Sequence, residues 1–190
     1  MAFENDWEFL RAAVPDLQRY VLSADLYSPL RLTAPTPGSI RTPQLTIGNV
    51  ALSLLRLSAL PLSAQQKAQL SDMAGQINAV KEAWRANWAK KATQEYTSRL
   101  NLWQQYLSEL RGDPQQQSAR YANEVRQRAI LDLLSDEMLD GIPPHEVEQV
   151  TMLDTILRGL TKTGPFVWEP EVAASFPQDR FWYLHVSLGK

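Results

Sequence analysis

The residues best equipped for chemistry lie between positions 132 and 148. Asp132, Asp136 and Asp140 recur every four residues, so on a helix their carboxylates share one face. Glu137, His145, Glu146 and Glu148 stand close by. Like charges at that spacing repel, and a divalent cation relieves the repulsion. Magnesium or manganese takes carboxylate oxygens, with Asp136, Asp140 and His145 as the ligand set. The matching reaction is metal-dependent hydrolysis of a small phosphorylated substrate. The competing reading assigns no metal and no cofactor, because a charge run on an amphipathic helix is usually a solvated face. Glu146 and Glu148 then simply complement the dipole of a first turn, whereas Asp140 near a helix C-terminus opposes it.

Glu137-x-x-Asp140 resembles one half of the acidic motif of helical nucleotide pyrophosphatases. Those enzymes carry a paired glutamate motif on a second helix, where this chain has only the scattered Glu82, Glu95 and Glu109. Other catalytic classes find less. No Gly-x-Ser-x-Gly turn, phosphate loop or glycine-rich dinucleotide fingerprint occurs. There are two histidines, His145 and His185, and the second reads as a hydrogen-bonded structural imidazole. With no cysteine, thiol nucleophiles, zinc ribbons, iron–sulfur clusters and disulfide scaffolds are excluded. No catalytic residue is assigned, and the sequence leans away from an enzyme.

The charges add a third possibility. Residues 81–130 carry 9 basic and 5 acidic groups, and residues 131–190 carry 4 basic and 10 acidic. Arg85, Lys90, Lys91, Arg120, Arg126 and Arg128 could line a nucleic-acid surface, but a formal net charge of −2 gives little long-range pull on phosphates. Nucleic acid is therefore not the expected partner. The start of the chain is acidic rather than signal-like, and no stretch approaches the roughly 20 apolar residues of a membrane span, so a soluble cytoplasmic protein without a membrane partner is expected.

These groups must be positioned by helices. The 190 residues suit one domain, 44% of them hydrophobic and 21% charged. Proline, which breaks helix interiors, is absent from 62–113. The expected fold is all-α, a helical bundle built on a long antiparallel helical hairpin with a minor C-terminal two-stranded β-ribbon. Within the single domain 1–190, residues 1–61 hold N-terminal helices and a Pro-rich loop, 62–141 the hairpin, 142–164 a further helix and 165–190 the ribbon tail.

The first helix begins near Asn5 and carries the stripe Trp7, Leu10, Val14, Leu17 and Val21 through Pro15, where a kink is expected. An extended, irregular connection follows over Ser28 to Gln44. A helix over Thr46 to Ala59 is apolar on two faces and should be the most buried element. Ser63 with Gln66 predicts a capping box, from which helix continues to about Leu110. Unbroken, it would extend about 70 Å at 1.5 Å per residue. Its stripe slips phase between Trp84 and Tyr96, so a bend is expected near Arg85 to Lys91. Arg111-Gly112-Asp113-Pro114 reads as the hairpin turn, and the return helix should reach Asp140 with Gly141 as terminator. The last helix spans Pro144 to Leu160. In the tail, alternation over Phe181 to Leu188 predicts a strand pairing with Pro165 to Trp168.

Trp7, Trp84 and Trp103 fall on apolar stripes and are assigned to the core. Trp88 sits where the stripe slips, and a strand cannot bury both faces of Phe181-Trp182-Tyr183 easily. Trp88, Phe181, Trp182 and Tyr183 are therefore the candidate partner contacts. The leading functional expectation is a non-enzymatic protein acting through protein contacts, as a homodimer or with another protein.

Overall fold

The computed structural model describes residues 2–30 and 44–189. It is mainly α-helical. In chain order it comprises α1 (Ala2–Leu22), β1 (Ser28–Pro29), β2 (Gln44–Leu45), α2 (Ile47–Ser58), α3 (Ala64–Ala83), α4 (Arg85–Gly112), the short α5 (Pro114–Gln117), α6 (Tyr121–Ser135), α7 (Pro144–Leu160), β3 (Thr161–Thr163) and β4 (Val186–Leu188). Most of the expected irregular connection falls on 31–43, outside the described residues. Its flanks, β1 and β2, pair antiparallel.

Local signals set most boundaries. Thr46 caps α2 by accepting a hydrogen bond from the Asn49 amide, and Ser63 with Gln66 forms the full capping box at α3. At the hairpin turn Asp113 accepts from the Gln116 amide and Pro114 occupies the first helical position. The helix α1 runs through Pro15 as one element, held by the burial of Leu10, Ala13, Leu17 and Val21 on its inner face.

The long segment divides at Trp84, whose φ of −126° and ψ of 39° end α3 and begin α4. That is one residue before the expected bend. The Trp84 amide donates to the Val80 carbonyl at 3.0 Å and the Trp88 amide to the Trp84 carbonyl at 2.9 Å, so the same residue closes one helix and opens the next. The change of phase exchanges the roles of two tryptophans. Trp84, expected in the core, is 37% exposed, while Trp88, expected at the surface, is 3% exposed.

The central rod is α4. It packs on α6 in the antiparallel hairpin and also touches α1, α2, α3 and α7. With neighbours on several sides it buries more than one stripe: Trp88, Ala92, Tyr96, Leu100, Trp103 and Leu107 face inward, and so do Lys91, Glu95 and Arg99. Among the described residues no helix is long and apolar enough to cross a membrane.

Two expectations need correction. First, α6 ends at Ser135 rather than Asp140, and Gly141 takes its left-handed φ of 71° six residues beyond. Asp136, Glu137 and Asp140 would all have pointed negative charge at the negative end of a longer helix. Second, β4 pairs not with Pro165 to Trp168 but with β3, the direct continuation of α7. Residues Trp182–Leu184 form a 3₁₀ turn instead of a strand. A three-residue repeat places Phe181 and Leu184 on one side, and both are buried.

Candidate functional site

The acidic run does not converge. Asp132 accepts from Arg128 Nη1 at 2.5 Å and from the Tyr183 hydroxyl at 2.7 Å. Asp136 is held by Arg180 at 2.7 Å. Glu137 Oε2 takes the Trp88 indole N–H at 2.7 Å and the Lys81 ammonium at 2.6 Å. Asp140 is exposed beyond the end of α6, and His145 is exposed in the first turn of α7. Glu146, buried at the N-terminal turn of α7, accepts from the Thr97 hydroxyl at 2.6 Å through one oxygen. Among the described residues no three histidine, aspartate or glutamate side chains are arranged as metal ligands. The Arg180–Asp136 pair is open to water, with the side chains 42% and 58% exposed. Arg180→Ala is therefore expected to lower stability by less than about 1 kcal/mol in urea titration.

The basic residues do not form a stripe either. Lys91 is 4% exposed; its ammonium donates to the Asp25 carbonyl and lies 4.6 Å from the centre of the Tyr20 ring. Burial pushes it below the ordinary lysine value. Arg128 is 6% exposed and forks onto Asp154 at 2.9 and 3.0 Å; these bonds and Asp132 outweigh its burial and raise its pKa. Arg120 pairs with Glu109 and Glu124. Arg126 is half-buried; burial, with Arg56 and Arg99 adding to it, pushes its pKa down. Of the six basic residues singled out in the sequence, Arg85 and Lys90 are exposed and make no ion pair among the described residues.

The expected partner contacts are mostly internal. Trp88, Phe181 and Tyr183 are buried, because the 3₁₀ turn and the bend at Trp84 fold them into the core. Trp182 stays half-buried with the Arg158 guanidinium 3.7 Å from its ring centre. His185 does behave structurally: its Nε2 lies 3.1 Å from the Phe176 carbonyl oxygen.

What the structure adds is a groove between α2 and α3. Its volume is about 670 Å³, inside the range of small-molecule sites at about 300–1,000 Å³. Ala51, Leu54 and Leu55 of α2 form one wall, Leu70, Ala74 and Ile77 of α3 the other, and Trp88 and Leu133 the floor. The cause is legible in composition. The core takes Ile47, Val50, Leu52 and Leu57 from α2, which leaves its second apolar face half-covered. The facing helix is glutamine-rich and buries only Met73 and Ile77, too thin a stripe to fill the gap. At one end Lys81 and Trp88 meet on Glu137, clasping α3 and α4 to the turn after α6. At the other end stands Lys67, exposed and without an ionic or hydrogen-bonding side-chain partner among the described residues.

Comparison of the chain with protein-family models, with curated proteins and with solved structures finds no match.

Proposed function

We propose that the protein is a non-enzymatic binding protein whose working surface is the α2–α3 groove. The observation that carries this reading is the groove itself: an apolar hollow of about 670 Å³ left between two helices. No histidine lines it, and its one carboxylate, Glu137, is already engaged by Trp88 and Lys81, which favours binding over turnover. The sequence leads one to expect contact with another protein through the terminal aromatics; the present reading keeps a non-enzymatic binding role and assigns it to the groove between α2 and α3 instead. The hydrolase reading lacks comparable support, since Asp132 and Asp136 are held by arginines.

A neutral apolar dye such as N-phenyl-1-naphthylamine tests the proposal. Its fluorescence should rise on binding the wild-type protein. Ala74→Trp, at a half-buried position on the α3 wall, should fill the hollow and weaken the dye at least about tenfold while the helical circular dichroism is kept. A dye that ignores the wild type, or that binds Ala74→Trp equally well, would refute the groove as the working surface.

A further inference from the structure

We propose that the guest is a single-chain anionic amphiphile, with a long-chain carboxylate as the type, its tail lying along the groove and its head at Lys67. This rests on the groove reading and adds the chemistry of the ligand. Two features select it. The first is shape. Lys67 and Lys81 both line the groove on α3, and at 1.5 Å per residue they stand about 21 Å apart, so the hollow is long as well as apolar. The second is charge. Lys81 is neutralised by Glu137 at 2.6 Å, whereas Lys67 is exposed and forms no ion pair among the described residues. An apolar trough with a positive charge free at one end only is complementary to an apolar rod carrying one negative end.

The orientation follows. Lys67 is exposed, and the most buried residues lining the groove are Val50, Trp88 and Ile77, 1%, 3% and 4% exposed. The tail therefore points from Lys67 toward Trp88 and Leu133. The head stays at the mouth, in water, where a lysine can meet it without desolvating a buried charge. Alkyl carboxylates and alkyl phosphates share this chemistry.

The test is displacement of the neutral dye from the full chain at low ionic strength, below the micellar range of each competitor. Laurate and dodecyl phosphate should both displace it, and dodecanol more weakly. Lys67→Glu, a charge reversal at an exposed position, should weaken both anions about tenfold, an effect that fades with salt, and should leave the dye and dodecanol unchanged. If dodecanol competes as well as laurate and Lys67→Glu alters neither, the anionic head is wrong while the groove stands. If laurate fails and an amphipathic helical peptide displaces the dye, the guest is a protein helix and the amphiphile is overturned. Failure of the dye itself would remove the groove reading, so the two failures are distinguishable. Laurate displacement that persists in Ala74→Trp would place the site elsewhere and overturn the inference.

Discussion

Raising the pH through about 10 is expected to unfold the protein cooperatively, because five of its six tyrosines ionise only at a cost in the folded state. Tyr20, Tyr96, Tyr106, Tyr121 and Tyr183 are each 4% exposed or less. Four of them donate the phenolic proton inward: Tyr20 to the Leu26 carbonyl, Tyr106 to Gln117, Tyr121 to the Tyr183 carbonyl and Tyr183 to Asp132. A phenolate could not donate, and would face those oxygens with a negative charge. Burial is the main cause that raises all five, Tyr96 to about 12 and the others further. The unfolded chain ionises at the ordinary value near 10, so above it the unfolded state has lost protons that the folded state keeps. The stabilisation is therefore complete below about pH 10 and is lost as pH rises toward the folded values. One unit above the ordinary value each phenol costs about 1.4 kcal/mol, and five together about 7 kcal/mol, comparable with the 5–15 kcal/mol of a whole domain. Lys91 works the other way: burial lowers its pKa, so stability rises as it loses its proton in the window below the ordinary lysine value, but it is one group against five. Helical ellipticity and phenolate absorbance near 295 nm should change together in one steep step. A gradual rise in absorbance with helicity retained would refute the account.

How far the sequence reaches depends on the range of the cause. Caps and terminators act within a few residues, which is why Ser63 with Gln66, Gly112-Asp113-Pro114 and the span Pro144–Leu160 are readable without coordinates. The phase slip around Trp84 is equally local, and it predicted a bend in a window, Arg85 to Lys91, that begins one residue after the observed break. It could not say which tryptophan turns inward, because that depends on how α4 sits against α6. The tail does form a two-stranded ribbon, with β4 inside the expected strand, but its partner and the stretch before it differ for a related reason. The alternation Trp182, Leu184, Val186, Leu188 is consistent with a strand, but Phe181 and Leu184 are buried by a 3₁₀ turn packed on the helices, and the partner strand is the end of α7. Among the acids, Asp132 meets Arg128 one turn away on its own helix, whereas Asp136 meets Arg180, 44 residues distant. The groove is a gap between helices and has no motif, although its ingredients, an α2 apolar on two faces opposite a glutamine-rich α3, were in view.

Glu95 illustrates the same limit, and substituting it should have one of the largest effects on stability. In sequence it is one of three scattered acids; in the fold it is 0% exposed, and its carboxylate receives the Gly48 amide at 2.9 Å in the first turn of α2. It also takes Arg99 through Nε at 3.1 Å and Nη2 at 2.9 Å. It thus satisfies an orphan amide of one helix and neutralises a guanidinium that is 8% exposed. Glu95→Ala leaves that guanidinium buried without its carboxylate and should cost about 3–5 kcal/mol, read as a lower urea midpoint at unchanged slope. Gly48→Ala tests the same contact from the other side: an added Cβ would stand 2.8 Å from Glu95 Oε1 and strike Ile130 Cγ2, with an overpacking cost of at least about 1–3 kcal/mol. The sharper measurement is the double variant Glu95→Ala/Arg99→Ala. If the cost of Glu95→Ala comes mainly from the stranded charge, removing Arg99 as well should recover part of the loss, so the double variant should be more stable than Glu95→Ala alone. A double variant whose loss equals the sum of the two single losses would show that the pair is not coupled, and that Glu95 acts only as the cap of α2.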